Sequence, residues 1–65
     1  MRKIDYLALR NKMYSAVGTL GTHAEETEIP YLQDAYSSGC IMLDDIDCLG
    51  VKLGYIDAET NEVKE

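Results

Sequence analysis

The side chains best suited to nucleophilic or soft-metal chemistry here are one histidine, His23, and two cysteines, Cys40 and Cys48. A Ser-His-Asp or Cys-His arrangement would have to use His23. Its setting in a polar stretch with Glu25, Glu26 and Glu28 suits an exposed histidine better than a general base. A structural zinc site usually draws four Cys or His ligands from short paired spacings. Cys40 and Cys48 have seven residues between them and no second pair, so the pattern falls short. They read as reduced thiols, although a Cys40–Cys48 bridge is left open.

The acidic run Asp44-Asp45-Ile46-Asp47-Cys48-Leu49-Gly50 has the look of a calcium loop. Started at Asp45, it places Leu49 and Ile56 where an EF-hand needs oxygen ligands, and the match fails. Asp44, Asp45 and Asp47 also lie too close in sequence to be given contrasting environments, as an acid–base pair requires. Gly18-Thr19-Leu20-Gly21 lacks the Gly-Lys-Ser/Thr ending of a phosphate-binding loop. So short a chain has little volume for a pocket of 300 Å³ or more. No catalytic residue, metal or cofactor is expected, and the chain reads as a non-enzyme.

What remains is a surface of interleaved acids and tyrosines. Glu25, Glu26, Glu28, Tyr31 and Asp34 fall in one stretch, and Asp44, Asp45 and Asp47 in another. Tyrosine gives large amphipathic contact area with few rotors to freeze, which favours it at interfaces. These eight residues are the candidate partner-binding set, with carboxylates standing where a nucleic acid would present phosphates.

Charge distribution supports that choice. The net charge of −6 is the balance of two unlike parts. Residues 1–21 carry Arg2, Lys3, Arg10 and Lys12 against Asp5, a net +3. Residues 22–65 carry eleven acids against Lys52 and Lys64, a net −9. The negative part repels a phosphate backbone, whose binding depends on cations displacing counterions. A larger protein with a basic surface is the expected partner, and direct nucleic-acid binding is not.

The elements that must position these residues begin with an amphipathic stripe. Tyr6, Leu9, Met13, Ala16, Val17 and Leu20 share one helical face, and Gly21 offers a stop, predicting a helix over residues 3–20. Thr22 and Glu25 have capping-box spacing within a polar connection. Pro30 suits a first turn, and Ile29, Leu32, Ala35 and Tyr36 make a second stripe, predicting a helix over 28–38 that Ser37-Ser38-Gly39 ends. Cys40-Ile41-Met42-Leu43 reads as a short buried strand, although Met42, Ile46 and Leu49 also have helical spacing. Val51, Leu53 and Tyr55 suggest another strand. A turn over Asp57–Asn61, with Asn61 left-handed, would return Glu62–Glu65 as a charged edge. The expected fold is α+β: two helices followed by a small antiparallel sheet or hairpin over about 40–64, in one domain spanning 1–65.

Composition adds a stability argument. A 65-residue chain buries only about 60% of its unfolded surface, and its five Tyr with no Phe or Trp give every large ring a hydroxyl to satisfy. Help from a second subunit, as a homodimer, is expected. No apolar run approaches the ~20 residues of a membrane span or the core of a signal peptide. With Cys40 and Cys48 too few for the disulfide framework of a small secreted domain, these features predict a cytoplasmic protein. The functional expectation is a small acidic inhibitor or adaptor of a larger nucleic-acid-handling or host-defence protein, of phage or mobile-element accessory type. Two rivals are a small DNA-binding regulator and a structural subunit of a homo-oligomer.

Overall fold

The computed structural model describes residues 1–64. Its architecture is a helical hairpin: α1, Lys3–Thr27, turns through Glu28 and Ile29 into α2, Pro30–Leu53, and a short tail folds back over the open end. The molecule is a rod of 39 × 20 × 17 Å. Its radius of gyration of 13.4 Å exceeds the about 11 Å of a compact chain of this length.

The α+β expectation is therefore corrected. Among the described residues there is no strand and no sheet, and the only β feature is one isolated antiparallel bridge between Ile56 and Val63. Helix α1 does not stop at residue 20, nor α2 at 38, and residues 40–49 and 51–53 are helical.

The reason is what the glycines do. Gly21 and Gly39 are contact points between helices rather than terminators. A Cβ at Gly21 would lie 2.6 Å from the Tyr36 ring, and one at Gly39 would lie 3.0 Å from Val17. Gly50 likewise receives the Tyr6 phenol and Ile56. Counted as small contact residues, they complete two seams with the 3–4 spacing of packed helices. One seam runs through Tyr6, Arg10, Met13, Val17, Gly21 and Ala24, the other through Leu32, Tyr36, Gly39, Leu43, Ile46 and Gly50.

The true helix ends carry their own signals. Gly54 (φ 82°) closes α2 with Gly54 N–H donating to Val51 and Tyr55 N–H donating to Gly50, the paired bonds of a Schellman cap. Glu28 (φ 55°) closes α1 in the left-handed region, with one bond back to Ala24. Pro30 opens α2 in the first turn, as its missing N–H permits. Inside α1, Thr19, Thr22 and Thr27 bond back to the carbonyls of Ser15, Gly18 and His23, so these poor helix formers keep their hydroxyls satisfied.

The core is small and lies towards the open end. Tyr6 and Ile56 are fully buried and pack with Ile46, and Leu7, Met13, Leu43 and Tyr55 border them. Among the described residues, no helix is long and apolar enough to cross a membrane.

Candidate functional site

The hairpin separates the candidate residues into two groups. Glu25 and Glu26 occupy the last turn of α1, Glu28 caps it, and Tyr31 and Asp34 begin α2. All five are exposed, Tyr31 to 85%. They crowd the closed tip of the rod because the turn between the helices is only two residues long. The last turn of α1 holds no basic side chain, so the negative end of its helix dipole adds to the carboxylates. Among the described residues, none of these four acids takes part in an ion pair.

An open groove adjoins the tip. It has a volume of about 420 Å³, a floor of Gly18 and Gly21, and a rim of Glu25, Gln33, Tyr36 and Ser37. A second, of about 400 Å³, lies between α2 and the tail beside Asp47, Cys48, Val51 and Asn61. The short chain thus holds larger concavities than its length suggests, because the glycine floor and the folded-back tail leave gaps beside the seam.

Asp44, Asp45 and Asp47 do not join the tip. Ten helical residues separate Asp34 from Asp44, about 15 Å along the axis. Asp44 and Asp45 are exposed, whereas Asp47 is turned inward and heavily bonded. It accepts hydrogen bonds from Tyr14 Oη at 2.5 Å, Arg10 Nε at 3.1 Å and Asn61 Nδ2 at 3.2 Å. The Arg10 guanidinium also lies 4.7 Å from the Tyr14 ring centre. Burial pushes the Asp47 carboxyl up, but the bonds from Tyr14, Asn61 and Arg10, with the Arg10 charge, outweigh it and hold its pKa below the usual value. The bond to Asp47 in turn raises the Tyr14 phenol, with burial adding to it. Asp47 thereby ties α1, α2 and the tail into one unit.

The tail has further anchors. Tyr55 Oη donates to the Met1 carbonyl at 2.6 Å, and its ring centre lies 5.6 Å from that of Tyr6. Lys3 donates to the Lys64 carbonyl. The turn over 57–61 has Asn61 left-handed at φ 58°, as its sequence implies. Asp57 accepts from the backbone N–H of Glu59 and Thr60, which lowers its pKa.

The residues with chemical potential are dispersed. His23 is exposed on α1, while Cys40 is half-buried and Cys48 exposed on α2, both as free thiols. Eight helical residues set the cysteines about 12 Å apart along the axis, beyond the reach of a disulfide within the chain. The neighbouring Cys40 thiol, one helical turn on, raises the pKa of the Tyr36 phenol. Among the described residues, no three His, Cys, Asp or Glu side chains converge as metal ligands would.

Sequence reasoning missed the Arg10–Tyr14–Asp47–Asn61 cluster. Its signal was present: Arg10 interrupts an apolar stripe, where a charge must find a partner when the helix packs. No known protein family matches this chain, and no curated protein or solved structure is significantly similar to it.

Proposed function

We propose that this chain is a small acidic protein-binding module, an inhibitor or adaptor that docks tip-first on a basic surface of a larger protein. The observation that carries this reading is the closed end of the hairpin. There Glu25, Glu26, Glu28 and Asp34 surround the exposed Tyr31 with no lysine or arginine between Lys12 and Lys52 in the sequence. Carboxylates at a helix C-terminus create a field that a cationic side chain relieves. The groove beside Glu25 gives an arginine or lysine a place to enter. Asp44 and Asp45 extend the acidic character along α2, and Asp47 serves the fold. A protein that handles nucleic acid is the best-suited target, since its basic surface already binds phosphates. The free thiols of Cys40 and Cys48 suit a reducing compartment, which supports a cytoplasmic reading.

The test is affinity capture with cross-linking at physiological salt, comparing the native chain with a Glu25→Lys/Glu26→Lys/Glu28→Lys variant. A partner held by the native chain, released by added salt and lost by the variant is the expected result. Capture indifferent to both changes, or no capture, overturns the reading. So does salt-sensitive retardation of duplex DNA by the purified protein, which would favour a DNA-binding regulator.

A further inference from the structure

We infer that a second copy of this chain covers one long side of the hairpin, forming an antiparallel four-helix bundle. At about 100° per residue, Leu9, Ala16 and Leu20 form a stripe on α1 beside the seam line of Tyr6, Met13, Val17 and Ala24. On α2, Ala35, Met42, Leu49 and Leu53 form another beside Gly39, Ile46 and Gly50. Both stripes are rotated from the seam in the sense of decreasing angle. For two antiparallel right-handed helices, that brings them to the same side. Arg10, Tyr14, Asp47 and the tail's Asn61 occupy the opposite side, so the chain's own tail leaves this face open. Met42 is 51% exposed and Leu9 41%.

The exposed area matches what a partner would cover. A compact monomer of 7.3 kDa shows about 4,200 Å², whereas this chain shows 4805 Å². The surplus of roughly 600 Å² approaches the roughly 800 Å² that each partner contributes to a stable interface.

Charge fixes the occupant and its orientation. Across the seam Tyr6 lies level with Gly50, Arg10 with Asp47, Val17 with Gly39, and Gly21 with Tyr36. A two-fold axis parallel to the rod lays α1 antiparallel on the partner's α2 and preserves those levels. At the outer edge of the apolar face, Lys12 then stands level with the partner's Asp45, and Asp5 with the partner's Lys52. The edge of α1 thus meets opposite charge along the edge of α2, which is the self-complementarity that a two-fold interface demands. All neighbouring helices are antiparallel, as in up-down bundles.

This inference stands apart from the acidic tip, and its test reads mass rather than partner capture. Sedimentation equilibrium of the full chain at tens of micromolar is expected to give twice the 7.3 kDa chain mass. Met42→Lys is expected to give monomer. Because that change could also unfold the chain, the exposed edge supplies a second variant. Lys12→Glu should weaken the dimer by about tenfold, since two symmetric pairs become repulsive, and Lys12→Glu/Asp45→Lys should restore it. A folded native monomer, even one whose apolar face captures a different protein, overturns the proposal. So do a larger assembly and a dimer unaffected by all three variants.

Discussion

Tyr6 and Gly50 form a ball and socket: the phenol ring occupies the space that a side chain at Gly50 would fill, and its hydroxyl donates to the Ile46 carbonyl at 2.7 Å. The fully buried Tyr6 thus packs its ring and satisfies its polar end in one place on α2.

Gly50→Ala should therefore destabilise the fold although alanine favours helix. The added methyl meets Tyr6 and Ile56, and overpacking of a tight site costs about 1–3 kcal/mol against a propensity gain of about 1 kcal/mol. Gly18→Ala is the control, because nothing lies within 4 Å of its Cβ position. It should raise stability by about 0.5–1 kcal/mol. Urea denaturation of both variants separates the two roles of glycine.

Tyr6→Phe keeps the ring and removes the hydroxyl. The Ile46 carbonyl retains its place in the helix ladder, so the expected loss is about 1 kcal/mol, one buried hydrogen bond. A loss much below that in urea titration would mean that ring packing alone holds the two helices at this level.

Stability should fall at both ends of the pH range. The folded pKa of Asp47 is depressed, so its contribution is complete above the unfolded carboxylate value near 4 and is lost as pH drops through the folded value. Tyr14 is raised, so its contribution is complete below about 10 and is lost as pH climbs through its folded value. Tyr6, raised chiefly by burial, adds to the alkaline loss. Asp47→Asn should flatten both limbs, because the Asp47 bond is the first cause of the Tyr14 shift. Denaturant titrations from acid to alkaline pH check this. An unchanged alkaline limb in Asp47→Asn would count against the cluster.

Glu28→Gly should stabilise the hairpin by roughly 0.5–1 kcal/mol. Glu28 holds φ 55°, a conformation that glycine adopts without a Cβ penalty. The change also removes a carboxylate from the negative end of α1. Thermal melting reads the difference.

The two thiols should differ in accessibility and should not pair within one chain. A thiol-reactive dye is expected to label the exposed Cys48 before the half-buried Cys40. Mild oxidation should leave no intramolecular bridge by intact mass.

Much of the first helix was legible: Tyr6 and Val17 are buried in the seam, Met13 packs against the core, and Pro30 opens the second helix. The acidic tip was legible as a local cluster because a two-residue turn keeps its members together in space. The helix ends were misread at Gly21 and Gly39, where a residue that breaks isolated helices instead admits the facing helix. That distinction lies in what sits opposite, which local sequence does not carry. Asp47 was misplaced for the same reason. Its partners Arg10, Tyr14 and Asn61 are remote in sequence, so an apparently solvated acid became the knot of the fold.

The distribution of cations along the hairpin has a kinetic consequence. All six lysines and arginines lie before residue 13 or after residue 51, so the closed half of the rod is negative without compensation. At the open end, Arg2, Lys3, Lys52 and Lys64 stand against Asp5, Asp57, Glu59 and Glu62. The molecule is thus an electric dipole some 39 Å long. In the field of a basic surface it experiences a torque that turns the tip forward within about one Debye length, roughly 8–10 Å at physiological salt. Added salt should then slow arrival more than it hastens departure. In a two-fold pair with its axis along the rod, both heads point the same way, and the torque doubles.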